Sequence, residues 1–325
     1  MDQKTSKRII DYIKEKGQAS GNDLARFLGI TTRAVRKQLA NLLEGGLLYK
    51  RGTPPKVFYY FNELLIKDDK ETYFDEKTKD IIDKNFLMIS PNGERKEGIE
   101  GFIEWCKKRN EDIDKTAKDY ITSYRKFNKY KKKGLIDGKY KIKHTFNEVF
   151  LDKVFYLDFY SIERFGKTKL GQILLYAKQG QSKELILELM KEIKPKINNL
   201  IKEFSIDAVG FIPPTVKREV QLMKEIEKQL NLSIPIIPLI KLKAEISVPQ
   251  KTLAKLEDRI ENAETTIVVN ESRKFKTILL IDDALGSGAT LNETARKIKK
   301  QNIADNVIGL AITGSFSGFE VISEV

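Results

Sequence analysis

Cysteine and histidine are almost missing from this sequence, one of each in 325 residues, and their scarcity excludes whole classes of chemistry. Cys106 alone cannot form an internal disulfide or a cysteine metal cluster, which fits a reducing cytoplasm. His144 alone excludes a histidine-rich metal site. A Ser-His-Asp or Cys-His mechanism is disfavoured because Cys106 sits in the helical-looking GFIEWCKKRN, so both residues read as structural. No stretch approaches the run of about 18 apolar residues that a membrane helix needs. The N-terminal MDQKTSKRII has no signal-peptide core. These absences predict a soluble cytoplasmic protein with no membrane segment, and its length predicts two or three folded units.

What is present in excess is positive charge: 59 Lys and Arg against 46 Asp and Glu, a formal net charge of +13. That balance points to a polyanionic partner. The excess is densest at the N-terminus, where residues 1–65 carry 12 basic and 6 acidic side chains. Residues 4–16 predict a helix with Ile9, Ile10 and Ile13 inward. A second helix follows Gly17, with Ser20 as N-cap, Asp23 three residues later, and Leu24, Phe27 and Leu28 as its buried stripe. Thr31 or Thr32 caps a third helix whose Val35, Leu39, Leu42 and Leu43 face the core. Thr32, Arg33, Arg36 and Lys37 occupy the N-terminal part of that helix, the part a recognition helix offers to the major groove. Gly45-Gly46 ends it, and the runs LLYK and KVFYYF flank RGTPP, predicting a hairpin that carries Lys50, Arg51 and Lys56. Residues 4–62 resemble the winged helix-turn-helix domains of bacterial and archaeal regulators. The resemblance implies that these seven residues bind double-stranded DNA, with phosphate contacts supplying most of the affinity. The alternatives are a small helical bundle with solvated lysines, or a wing used for protein contacts.

Residues 66–150 are charged, basic and mainly helical in pattern, with a strand and turn at FLMIS and PNGER and a helix at GIEGFIEWCKKR. TAKDYITSYRKFNKYKKKG sets Tyr120, Ile121, Tyr124 and Phe127 near helical spacing among lysines. Such a stripe either stacks single-stranded nucleic acid or packs inward behind a solvated basic back, and inward packing is the commoner case.

From about residue 151 apolar runs alternate with helical patterns: IDAVGFIP, a charged helix from Lys217 to Leu230, IPIIPLIKL, TTIVVN, KTILLIDD, a helix, and VIGLAITG. This predicts an α/β domain with a mostly parallel sheet, whose ligands bind at the carboxyl ends of strands. There KTILLIDD ends in Asp282 and Asp283 and runs through Ala284, Leu285, Gly286, Ser287, Gly288, Ala289 and Thr290 into a helix with Leu291, Ala295 and Ile298 inward. Glycines at 286 and 288 permit torsions closed to other residues, Ser287 and Thr290 add hydroxyls, and the helix N-terminus adds partial positive charge. A phosphate dianion is the natural guest. The two acids would repel that phosphate, so they are expected further along the ligand, on ribose hydroxyls, with magnesium entering through the ligand. A Walker A loop is excluded because no lysine follows the glycines, and the dinucleotide fingerprint because GxGxxG is absent. An ordinary βα unit with a glycine turn is the plainer alternative.

ILLIDDALGSGAT, residues 278–290, resembles the phosphoribosyl pyrophosphate signature of type I phosphoribosyltransferases. VPQKTLAKLEDRIENAETTIVVN, from Val248, is similar to the mobile-loop segment of the competence-protein-F type, with Gln250, Leu253, Arg259 and Asn262. LGQILLYAKQGQ, from Leu170, resembles that family's opening helix with its lysine and glycine. FIPPTVKRE stands in the place of the pyrophosphate loop, with Pro214, Thr215 and Lys217. The resemblance spans roughly residues 155–320. Two departures accompany it: Gly286-Ser287 replaces two common threonines, and the arginine-rich tract after the FIPP strand is missing. It implies a multidomain chain: a winged helix (α+β) over 1–65, a middle region over 66–150, and a type I phosphoribosyltransferase fold over 151–325. Two functions follow from it. One is a DNA-binding regulator, expected as a homodimer, that senses phosphoribosyl pyrophosphate or a ribose 5-phosphate nucleotide. The other is an active transferase, using magnesium, that moves ribose 5-phosphate to a base or other nucleophile.

Overall fold

The computed structural model describes residues 3–62, 74–216, 218–242, 248 and 252–315. They fall into two compact units, Met1–Lys77 with Ile103–Ala117, and Thr78–Phe102 with Lys118–Val325.

The first unit opens with α1 (Gln3–Lys16), β1 (Ala19–Ser20), α2 (Gly21–Leu28), α3 (Thr32–Glu44), β2 (Leu48–Arg51) and β3 (Phe58–Phe61). Ile9, Ile13, Leu24, Val35, Leu39 and Leu42 are buried in its core, as the helical spacing predicts, joined by Leu48 of β2. Ser20 caps α2 in a capping box: its hydroxyl accepts from the Asp23 amide at 3.2 Å, and the Asp23 carboxylate accepts from the Ser20 amide at 3.1 Å. Thr31, not Thr32, caps α3, accepting from the Ala34 amide. Phe27 departs from the expected stripe and is 42% exposed. Leu24 and Leu28 take the inward side of so short a helix, leaving Phe27 at its margin against Tyr12. The strands form an antiparallel sheet in the order β1-β3-β2. Its turn needs Gly52, whose φ is +94° and whose added Cβ would stand 2.1 Å from the Lys56 carbonyl oxygen.

The intervening elements are α4 (Glu76–Asn85), β4 (Leu87–Ile89), β5 (Arg95–Glu97), α5 (Gly98–Arg109), α6 (Ile113–Asn128), β6 (Lys131–Lys132), β7 (Leu135–Asp137) and α7 (Lys139–Thr145). β4 is the strand expected at FLMIS, and beyond the turn β5 pairs with it antiparallel. On α6 the aromatic stripe turns inward: Tyr120 and Ile121 are buried, Tyr124 and Phe127 partly so, while Lys118, Arg125 and Lys126 are exposed.

The remaining elements are β8 (Lys153–Phe159), α8 (Lys169–Gln179), α9 (Lys183–Glu203), β9 (Ala208–Phe211), α10 (Leu222–Leu230), β10 (Leu239–Lys241), α11 (Leu256–Thr266), β11 (Ile267–Val269), β12 (Phe275–Leu285), α12 (Ala289–Lys300) and β13 (Ala304–Gly314). A six-stranded mixed sheet runs β6-β7-β8-β13-β12-β9. β8, β13, β12 and β9 are parallel, and β6 and β7 add an antiparallel edge. Ile281 of β12 stands in register between Leu310 of β13 and Phe211 of β9. Leu279, Ile281 and Leu310 pack with Leu174, Ile193, Ile197 and Ile226 of the helices on one face. α12 returns the chain from β12 to β13 with Leu291, Ala295 and Ile298 buried, as predicted.

Three features differ from the sequence reading. β8 was not anticipated, although KVFYLDF has the β-branched and aromatic content of a strand. IPIIPLIKL and TTIVVN do not join the main sheet: β10 and β11 pair with each other. The first run touches β9 through one bridge at Ile236, and Pro235 and Pro238, lacking N–H groups, cannot extend that ladder. The helix expected from Lys217 starts at Leu222. Lys217 itself lies outside the described residues. Before α10 the chain is held by non-helical bonds: Val220 N donates to Gln181 Oε1 at 3.0 Å, and Gln221 Nε2 to the Arg218 carbonyl at 3.0 Å.

Candidate phosphoribosyl site and DNA interface

Thr32, Arg33, Arg36 and Lys37 are all exposed on the first two turns of α3, and Lys50, Arg51 and Lys56 are exposed on the wing. The helical period turns positions 33, 36 and 37 away from the stripe of Val35 and Leu39, and Thr32 is exposed because it is the first residue of the helix. Arg51 is positioned by its neighbours, its guanidinium 5.4 Å from the Tyr49 ring and 5.7 Å from the Tyr60 ring, which stack on each other. Among the described residues none of the six cations forms an ion pair, so their charge is available to a polyanion.

In the second unit the carboxyl end of β12 delivers Asp282 and Asp283, both partly buried, to the start of a tight loop. Strand alternation sends them to opposite faces of the sheet. Asp283 meets Lys178 near the end of α8 in a short ion pair. Asp282 has no ion-pair partner among the described residues; its Oδ1 accepts the Asp283 amide at 2.8 Å. Burial, and then the charge of Asp283, push the Asp282 carboxyl well above the carboxylate range, to about 8. Burial works against the charge of Lys178, but the ion pair with Asp283 outweighs it and leaves that ammonium above its ordinary value. Lys241, at the end of β10, is lowered by burial, with the nearby Asp282 charge opposing that shift. Two ammonium groups from distant parts of the chain thus stand near the two acids at one strand end, Lys178 paired with Asp283 and Lys241 in the field of Asp282.

The raised Asp282 value has a consequence for stability. Below 3.8 the group is neutral in both states; between 3.8 and about 8 the unfolded chain ionises it while the folded chain keeps the proton. Its contribution to stability therefore falls as pH rises through that window and is lost above it. Urea unfolding of wild type and Asp282→Asn at pH 5 and pH 8 is expected to show wild type losing stability relative to the variant. Parallel pH dependences would remove the proton from Asp282.

The loop after β12 is compact. Ser287, Gly288 and Ala289 are buried, while Gly286 and Thr290 are partly exposed. Ser287 Oγ accepts the Ala289 amide at 3.2 Å. Gly288 is the N-cap of α12 at φ +84°, with no side-chain cap on the helix. Gly286 does not have a positive φ, so the torsional need for glycine falls on Gly288 alone. At the helix start Gly288 brings no side-chain cap and Ser287 Oγ takes the first amide, that of Ala289, while the helix N-terminus still offers partial positive charge to an anion.

Pro214 and Thr215 follow β9, the strand beside β12, and stand partly buried at the same carboxyl edge. Arg218, a little further along, donates to the Lys178 carbonyl at 2.9 Å, tying this segment to the end of α8. Arg259 lies on α11, buried, with its Nε donating to the Leu253 carbonyl at 2.7 Å. Burial lowers its pKa. Asn262 accepts from Lys241 Nζ at 3.4 Å. Gln250 lies outside the described residues. Lys178, Lys241 and Arg218 received no role from the sequence; the lysine of YAKQG was visible only as part of a resemblance, and nothing local marks the other two.

Comparison with known proteins assigns the N-terminal unit. Residues 2–49 match a family of winged helix-turn-helix DNA-binding domains. No curated protein matches the chain. Among solved structures, a hypoxanthine phosphoribosyltransferase from Staphylococcus aureus aligns over 37% of this chain and 60% of its own, at 15% identity and a TM-score of 0.23. No helix among the described residues is long and apolar enough to cross a membrane. The chain is multidomain, an N-terminal winged helix-turn-helix DNA-binding domain followed by an α/β unit with a mostly parallel six-stranded sheet.

Proposed function

We propose that this chain is a DNA-binding regulator whose C-terminal domain binds phosphoribosyl pyrophosphate, or a related ribose 5-phosphate nucleotide, as its effector. The carrying observation is the junction of β12 and α12, where two acids at a strand's carboxyl end precede a helix start whose N-cap residue, Gly288, brings no side chain. In this reading the amides of residues 286–290 hold the 5-phosphate and Asp282 and Asp283 accept the ribose hydroxyls. Pro214 and Thr215 border the diphosphate. Magnesium enters with that diphosphate: Lys178 already neutralises Asp283, and among the described residues no three His, Cys, Asp or Glu side chains converge on a metal. Two winged helices of a homodimer would read the halves of a palindromic site.

The reading supposes that effector and DNA are coupled through differential binding to two states of the protein, a coupling typically of about 1–3 kcal/mol. The experiment is DNA binding with and without phosphoribosyl pyrophosphate and magnesium, accompanied by an assay for released pyrophosphate over a panel of bases. A shift in DNA affinity without release is the expected result. Base-dependent release that Asp282→Asn abolishes would establish an active transferase instead.

A further inference from the structure

Between residues 125 and 145 the chain carries nine lysines and arginines and one acid, Asp137. The fold neutralises only part of this charge. Lys126 pairs with Glu163, Lys131 with Asp158 at 2.9 Å and Lys133 with Glu203 at 3.1 Å, while Lys141 is buried with its ammonium on Ser315. Arg125, Lys129, Lys132, Lys139 and Lys143 are exposed and, among the described residues, form no ion pair. The β6–β7 hairpin gathers them. Lys131 stands opposite Ile136, and Lys132 opposite Leu135, across one strand spacing of about 5 Å. Lys129, which leads into β6, and Lys139, which follows β7, therefore arrive at the same end of the hairpin. Asp137 fixes that end by accepting the Lys139 amide at 2.7 Å. Lys143 lies one turn beyond Lys139 on α7 and shares its face, and Lys132 stands on the outermost strand of the sheet. Two exposed tyrosines stand among these cations, Tyr130 at 44% and Tyr140 at 72%. Each has one ring face engaged: Lys129 Nζ lies 5.1 Å from the centroid of Tyr130, and the His144 ring 3.9 Å from that of Tyr140.

We propose that this surface is a second contact for duplex DNA, made to the sugar-phosphate backbone and blind to sequence. Four lysines and an arginine without acids to neutralise them complement a polyanion. Phosphate oxygens accept hydrogen bonds from ammonium and tyrosine hydroxyl groups, contacts that position a protein on DNA without reading bases. A single strand would need open aromatic faces on which successive bases stack. Here Tyr120 is buried, Tyr124 and Phe127 are partly so, and Tyr130 and Tyr140 each have a face taken. A duplex is also the polyanion that the winged helix of the same chain brings near, at raised effective concentration. The inference goes beyond the effector reading and does not need the loop at 286–290 to bind anything.

The test is an anisotropy titration of the full chain, without phosphoribosyl pyrophosphate, against a long mixed-sequence duplex and a poly-dT strand at several salt concentrations. One variant joins Lys129→Gln, Lys132→Gln, Lys139→Gln and Lys143→Gln. A control removes the same charge from α9 and α10 by Lys183→Gln, Lys191→Gln, Lys224→Gln and Lys228→Gln, all at exposed positions. The first variant is expected to bind the duplex at least tenfold more weakly than the control, with the slope of log K against log salt lower by roughly 2 or more. Added to Arg33→Ala with Arg36→Ala, it should remove the duplex binding that the arginine variant retains. A winged helix without a role in DNA binding would show itself separately, as an arginine variant that binds like wild type while the lysine variant does not. Thermal unfolding checks that the fold is kept; if the fourfold variant unfolds, Lys139→Gln with Lys143→Gln carries the test, with a slope lower by about 1 or more. Duplex affinity and slope equal to those of the control would overturn the proposal. So would a loss confined to the poly-dT strand, which would assign the surface to single strands instead.

Discussion

Replacing Arg33 and Arg36 together by alanine is expected to weaken duplex DNA binding at least tenfold and to flatten its dependence on salt. Both side chains are exposed on the first turns of α3 and carry no ion pair among the described residues. The fold should not register the change, since neither takes part in the core of Val35, Leu39 and Leu42. If each contacts a phosphate, the slope of log K against log salt should fall by about 0.9 per arginine. If either reads a base edge, its loss removes about 1–3 kcal/mol and relaxes specificity at that position. A gel-shift or anisotropy titration at several salt concentrations measures both quantities. Unchanged affinity and slope would take α3 out of the DNA interface, and a hairpin-only reading through Lys50, Arg51 and Lys56 would replace it.

A second large effect is expected at Gly288, from local geometry rather than charge. Its φ of +84° disfavours any residue with a Cβ, and an added Cβ would stand 2.3 Å from Ile142 Cδ1. The torsion costs about 1–2 kcal/mol, and the crowding of a packed neighbour typically about 1–3 more. Gly288→Ala should therefore destabilise the second unit, displace the start of α12 and abolish binding of a phosphorylated ribose. Ile142 is buried on α7 and cannot swing away freely. Ile142→Val deletes the offending methyl, and alone costs about 0.5–1.5 kcal/mol. The double variant should be more stable than the sum of the two single changes requires, with the torsional part left unrelieved. Strict additivity in denaturant unfolding would mean that Ile142 does not hold the loop.

Much of this arrangement was legible in the sequence, for identifiable reasons. Helices and wing announced themselves because apolar residues at Ile9 and Ile13, and at Val35, Leu39 and Leu42, mark a period that burial enforces. β12 and its loop were legible because a buried parallel strand demands an unbroken apolar run and because acids and glycines then follow in one short stretch. Partners that arrive from far along the chain left no such mark. Lys178 lies 105 residues before Asp283, and only the sheet and α8 bring them together. β10 and β11 carry the composition of core strands, and only the prolines that divert the first set them apart. Arg259 was expected at a mobile loop, while the fold turns its Nε to the Leu253 carbonyl. Phe27 was placed inside because helical spacing gives the direction of a stripe but not its width on eight residues.

The central claim joins two halves, a winged helix that holds DNA and a loop that holds a phosphorylated ribose, and one titration tests the joint. The affinity of the full chain for its duplex should be measured with magnesium alone and with magnesium plus phosphoribosyl pyrophosphate, in wild type and in Gly288→Ala. The account predicts a shift of roughly 5- to 150-fold, the range of an ordinary allosteric coupling, in wild type and none in the variant. Equal DNA affinity with and without saturating phosphoribosyl pyrophosphate in wild type would contradict it.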